Sequence, residues 1–152
     1  MPTLDPRGDY LTRVWRDGVY PLAEELGVTM KLPPVQPRSR LAHEAAKWAT
    51  TINRFDDYNE AIFRAFFERG ENIEKIDVLV TLAENLNLDA DELRGALEEH
   101  EFEPQIMNDE SEAAALGVHA VPAFVANRRT ALSGVQSLSA LQTLIVRAKT
   151  LP

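Results

Sequence analysis

The sequence predicts a mainly α fold with a small β-hairpin, an α+β class of about seven helices and two antiparallel strands. Two observations carry this. Apolar residues recur at spacings of three and four through most of the chain, the period of a half-buried helix. Only at Ala123-Phe124-Val125-Ala126 does the pattern become a short apolar run. Asn127-Arg128-Arg129 then reads as a turn and Thr130 to Val135 as a second strand, with Gly134 at its end. Two strands joined by so short a connection pair antiparallel.

Residues 1–6 are expected to be extended, since Pro2 and Pro6 oppose a helix there. Asp9 to Leu26 has a helical pattern through Leu11, Val14, Trp15, Val19, Leu22 and Leu26. Gly18 and Pro21 predict either a kink or two short helices. Gly27 supplies the stop. Val28 to Arg38 is a connector, because Pro33, Pro34 and Pro37 suit neither helix interior nor central strand. Ser39 is expected to cap a helix to Thr51, with Leu41, Ala45, Trp48 and Ala49 inward.

Asp56 is expected to cap the next helix, which turns Tyr58, Ile62, Phe63, Phe66 and Phe67 inward and closes at Gly70. Ile76 to Leu86 carries Val78, Leu79, Leu82 and Ala83, with Asn87 in the left-handed stop position. Asp89 and Glu92 form a capping box ahead of Leu93, Ala96 and Leu97. Pro104 suits a first helical turn, and that helix runs to Leu116 before Gly117. Ser137 or Ser139 caps a last helix bearing Leu141, Leu144, Ile145 and Ala148.

A chain of 152 residues suits a single domain, 1–152, with a real core. The formal charge of −8 argues against nucleic acid and anionic membrane as partners, since both need clustered Lys and Arg. Arg38-Ser39-Arg40 and Arg128-Arg129 are too small to reverse that. No signal-peptide h-region interrupts Asp5, Arg7, Asp9, Arg13, Arg16 and Asp17, and no apolar run reaches membrane-spanning length, so the expected location is the cytoplasm.

The chain contains no cysteine. That removes disulfides, thiol nucleophiles and thiolate metal ligands together. His43, His100 and His119 have no metal-binding spacing, so no metal site and no cofactor are expected. Asp56-Asp57 and Glu98-Glu99-Glu101 read as capping or solvated carboxylates. Ser133 and Ser137 have no His and Asp beside them in sequence, and no glycine-rich phosphate loop is present, so no catalytic residue is assigned.

Several pieces in order resemble one family. They are Arg40-Leu41-Ala42-His43, Phe63-Arg64-Ala65-Phe66-Phe67-Glu68-Arg69-Gly70, Leu82-Ala83-Glu84 and Leu88-Asp89. The strongest are Gly117-Val118 with Val121-Pro122, Phe124-Val125 and Ser133-Gly134-Val135-Gln136. Together they resemble the DsbA-like thioredoxin-fold proteins of the cytoplasmic branch. That branch includes polyketide-biosynthesis disulfide oxidoreductase relatives, 2-hydroxychromene-2-carboxylate isomerases and kappa-class glutathione transferases. The resemblance implies a truncated thioredoxin-like fold with a DsbA-type helical insertion over 39–116 and a thioredoxin-like hairpin and helix over 117–150. It also implies an initial strand, Cys-X-X-Cys loop, helix and strand that this chain lacks, with Met1 to Pro6 resembling the tail of the second strand.

The family's redox chemistry therefore maps onto no residue here. What carries over is the proline loop, with Ala120, Val121 and Pro122 as substrate-binding residues and Val121–Pro122 expected cis. In the family this loop pairs through its main chain with an extended peptide or with glutathione. The resemblance supports three readings: a non-catalytic binding or assembly module, a subunit or truncated product of a disulfide oxidoreductase, and a divergent glutathione-binding isomerase or transferase relative. An isolated two-stranded hairpin is marginal in water and its edge invites another strand. A homodimer joined through the hairpin is the expectation.

Overall fold

The computed structural model describes residues 9–150, so the extended start expected at residues 1–6 lies outside the described residues. Within them the chain divides into two units, the first running to Ile106 and the second beginning at Met107. The first unit opens with α1 (Asp9–Val14), which passes through a π-helical segment (Trp15–Val19) directly into α2 (Tyr20–Glu25). The Gly18 and Pro21 irregularity thus resolves as a widened turn, with the Tyr20 amide reaching back to the Trp15 carbonyl. Pro21 falls at the start of α2, directly after the widened turn. Gly27 ends the helix at φ +66°.

The core of this unit is made by α3 (Arg40–Thr51), α4 (Phe55–Phe63), α5 (Ile76–Asn85) and α6 (Ala90–Glu98). Trp48, Tyr58, Leu79, Leu93 and Leu97 are fully buried. Trp48 and Tyr58 meet edge to face with centroids 6.0 Å apart. Small side chains at Ala42, Ala45, Ala46 and Ala49 bring α3 close to its neighbours. Asp89 caps α6 as expected, accepting the Glu92 amide at 2.9 Å. Asn87 takes its left-handed stop at φ +55°.

Three local expectations are corrected. Ser39 precedes α3, but its side chain makes no cap bond. Asp56 does not cap α4: the helix starts one residue earlier, at Phe55, and Asp56 sits within its first turn. Phe63 is 52% exposed rather than inward. Phe63 is the last residue of α4, about 100° around the helix from buried Ile62, and a second π-helical segment (Arg64–Glu68) continues the helix beyond it, shifting Phe66 and Phe67 out of the 3.6-residue register. Phe66 and Phe67 are only half-buried, and Phe67 is flanked by Trp15, Phe63 and Phe66.

The second unit holds most of α7 (Glu103–Ala115), then β1 (Ala123–Ala126), β2 (Thr130–Ser133) and α8 (Leu138–Thr150). Counting α1–α2 and α4 with its π-helical extension as one run each, the described residues form seven helical runs, the number expected. The strands pair antiparallel with Ala123 opposite Ser133, Phe124 opposite Leu132, Val125 opposite Ala131 and Ala126 opposite Thr130. β2 ends at Ser133, short of the expected Val135. Ser137 caps α8, its hydroxyl accepting the Ala140 amide at 3.2 Å. Ile145 is another correction: it is 52% exposed, while Leu144 and Ala148 are buried.

Candidate functional site at the proline loop

The loop is positioned from both ends. On its N-terminal side α7 stops when Gly117 turns left-handed at φ +73°. The Gly117 amide donates to Ala114 and the Val118 amide to Ala113, each at 3.0 Å, which satisfies the last helical carbonyls. On its C-terminal side the Pro122 carbonyl accepts the Gly134 amide at 2.8 Å, extending the hairpin ladder one pair beyond β1. Between these anchors His119, Ala120, Val121 and Pro122 are exposed, Val121 to 86%. The Val121–Pro122 peptide bond is cis.

The far end of the hairpin is equally fixed. Asn127 and Arg128 both have positive φ, the twist that suits a tight hairpin turn. The Asn127 side-chain amide donates to the Ala148 carbonyl of α8, and Arg128 pairs with Glu112 of α7. Half-buried Thr130 and Leu132 alternate with exposed Ala131 and Ser133, so α8 covers the face that carries Phe124 and Leu132. Pro122 and the residues before it thus lead directly into β1, whose second edge pairs with no strand among the described residues.

Chemically the site offers main-chain donors and acceptors and apolar surface. Ala120, Val121 and Pro122 lie together on the exposed loop, and no ionisable side chain is among them. Ser133 and Ser137 flank the C-terminal end of the hairpin, and the Ser137 hydroxyl is occupied by its cap bond and by Ser139 at 3.0 Å. Among the described residues no group of His, Asp and Glu is arranged to hold a metal ion.

One polar pair elsewhere was not legible as such. Glu44 on α3 is fully buried, and one of its carboxylate oxygens lies 3.2 Å from Nδ1 of His100. Its other oxygen and the indole N–H of Trp48 have no hydrogen-bond partner. The spacing signal was present, since Glu44 lies three residues after Leu41 and four before Trp48.

The profile of a family described as the DSBA-like thioredoxin domain matches residues 13–146. The chain is 35% identical over 130 residues to YwbO, an uncharacterised protein of Bacillus subtilis, covering 82% of this chain and 64% of that one. Its fold is similar to the crystal structure of a probable DsbA oxidoreductase from Streptomyces coelicolor, with a TM-score of 0.82 at 24% identity. That alignment covers 92% of this chain and 61% of the other. The chain thus spans less than two thirds of the length of both proteins.

Proposed function

We propose, from the premise that this chain belongs to the DsbA-like thioredoxin family, that it works as a non-catalytic binding or assembly module. The observation that carries this reading is the pairing of an exposed Ala120-Val121-Pro122 loop, continuous with a strand whose second edge is unpaired among the described residues, with a sequence that contains no cysteine. Thiol–disulfide exchange proceeds by thiolate attack on sulfur, and no side chain here supplies a thiolate. Recognition of an extended peptide through main-chain groups needs no such nucleophile. A cytoplasmic setting belongs to the same proposal and is supported by the resemblance to the cytoplasmic branch.

Two measurements test it together. The purified chain is expected to give no reduction of insulin disulfides with dithiothreitol above the rate of dithiothreitol alone. An extended model peptide is expected to shift the amide resonances of Val121 and the β1 residues. Turnover by the isolated chain, or the absence of any shift in the loop at millimolar peptide, overturns the reading. Glutathione is the smaller ligand for the same loop, and calorimetry with it reports binding directly.

A second reading, a subunit or truncated product of a disulfide oxidoreductase, is favoured by one observation: the chain covers only 61% and 64% of the proteins it resembles. An in-frame Cys-X-X-Cys motif encoded upstream of the Met1 codon would select it over the first.

A further inference from the structure

We propose that the outer edge of β2, together with the polar flank of α8, is a docking groove for an acidic peptide segment that adds to the hairpin as an extended strand. This surface is separate from the proline loop. It is separate too from the open edge of β1, where the family carries the strand unit that precedes this part of the fold. Because the Gly134 amide donates to the Pro122 carbonyl, residues 122 and 134 form a bonded pair. Bonded and non-bonded pairs alternate along an antiparallel ladder. Thr130 and Leu132, opposite Ala126 and Phe124, therefore spend their main-chain groups on β1. Ala131 and Ser133 direct theirs to the outer edge, and both residues are exposed. The Gln136 side chain takes the Ser133 carbonyl at 2.7 Å. The Ala131 amide and carbonyl and the Ser133 amide remain, a set that alternate residues of an added strand complete.

The last helix makes this edge a groove. Ser139, Thr143 and Arg147 of α8 recur every fourth residue and line a cleft of about 330 Å³ beside Thr130 and Leu132 of β2. Leu132 and buried Leu144 give the cleft an apolar lining. Two of the three polar groups are already engaged. The Thr143 hydroxyl donates to the Ser139 carbonyl at 2.8 Å, and the Ser139 hydroxyl lies 3.0 Å from that of Ser137. The Arg147 guanidinium is exposed and has no hydrogen bond or ion pair among the described residues. Thr130-Ala131-Leu132-Ser133 carries neither a charge nor a proline, the usual devices that keep an edge strand unpaired.

Charge selects the occupant. From Leu116 to Pro152 the sequence has no Asp or Glu, although the whole chain carries a formal charge of −8. The same stretch holds Arg128, Arg129, Arg147 and Lys149. Lys149 complements the C-terminal end of α8. Arg147 does so as well, and it also lines the cleft. A carboxylate entering the cleft meets an unpaired guanidinium, and no acid of the hairpin or of α8 opposes it. A phosphate backbone would meet the same charge, but it has no N–H to give the Ala131 carbonyl. The excess negative charge of the chain also repels a long polyanion. An extended peptide with acidic side chains satisfies the main-chain edge and the guanidinium together.

A capped peptide of alternating Val and Glu, titrated into the isotope-labelled chain, tests this. The Ala131 and Ser133 amide resonances are expected to shift. Arg147→Gln is expected to weaken binding about tenfold, the loss of one charge-assisted hydrogen bond, with an unchanged far-UV spectrum. Ala131→Pro, at a position whose amide does not serve the β1–β2 ladder, is expected to abolish the shift at Ser133. Unmoved Ala131 and Ser133 amides at millimolar peptide overturn the proposal. So does equal binding of the same peptide with Lys in place of Glu. Shifts confined to Val121 and the β1 residues would overturn the β2 groove and leave the proline-loop reading standing. A single-stranded oligonucleotide that binds more tightly than the peptide would make the surface a polyanion site and overturn the proposal likewise.

Discussion

The Glu44 carboxylate, fully buried on α3, is met by the His100 imidazole at 3.2 Å from beyond the end of α6, the one hydrogen bond of that carboxylate among the described residues. Removing the imidazole strands a buried acid. His100 sits at φ +52°, so glycine replaces it without backbone strain. His100→Gly is expected to lower stability to urea by about 1–3 kcal/mol, the range for a buried polar group left unpaired. Adding Glu44→Met is expected to recover most of that loss, because an apolar side chain of similar length removes the buried polar group left without a partner. Tryptophan fluorescence through the urea transition reads both; a His100→Gly transition matching the wild type would defeat the argument.

Tyr58 is fully buried, and its hydroxyl donates to the Leu79 carbonyl at 2.8 Å. Burial pushes the phenol well above its ordinary range. The folded state keeps the proton where the unfolded chain releases it, near pH 10 for a free tyrosine. The stabilisation is therefore complete below about pH 10 and declines as pH rises beyond it toward the folded value. Tyr58→Phe is expected to cost about 1 kcal/mol at neutral pH through the lost bond. It should also show a shallower alkaline loss than the wild type. Parallel alkaline curves for the two proteins would exclude this role for Tyr58.

Gly70 and Gly27 both adopt positive φ, at +70° and +66°, but in different surroundings. A Cβ at Gly70 would lie 3.0 Å from Cδ of Pro34, whereas at Gly27 nothing lies within 4 Å. Gly27→Ala is expected to cost only the left-handed penalty of about 1–2 kcal/mol. Gly70→Ala adds displacement of a rigid proline ring and is expected to cost more. Urea midpoints compared side by side decide it, and equal losses would mean that the connector yields freely.

The helix starts give a graded test. Asp89→Ala removes an observed cap bond and is expected to cost about 1 kcal/mol. Ser39→Ala removes a side chain without one, and Asp56→Ala removes a first-turn carboxylate; each is expected to change stability by less than about 0.5 kcal/mol. A Ser39→Ala loss as large as that of Asp89→Ala would contradict the geometry at α3.

Much of this arrangement was legible in the sequence wherever one local rule decides the outcome. The strand at Ala123–Ala126, the left-handed Asn87 and Gly117, the Asp89 cap and the cis bond before Pro122 each follow local signals or family motifs. The misplaced residues share a different cause. Phe63 follows buried Ile62 by one residue on α4, about 100° around the helix, so it lies at the margin of the apolar arc, and the arc alone does not say where burial stops. Ile145 belongs to an apolar arc broader than the hairpin beneath it, and periodicity cannot say how much of an arc a neighbour will cover. Glu44 had inward spacing, but its charge argued for solvent, and only the distant His100 reconciles the two.

The interiors of the two units are unequal, since Leu144 and Ala148 are the only buried apolar residues of the second among the described residues. The consequence is calorimetric. A body with so little buried apolar surface contributes a small unfolding enthalpy and heat-capacity step of its own. Trp15 and Trp48 both lie in the first unit, so fluorescence follows that unit, while circular dichroism registers α8 as well. The two signals should separate on heating. That gap measures directly how far the hairpin unit depends on something beyond itself for its order.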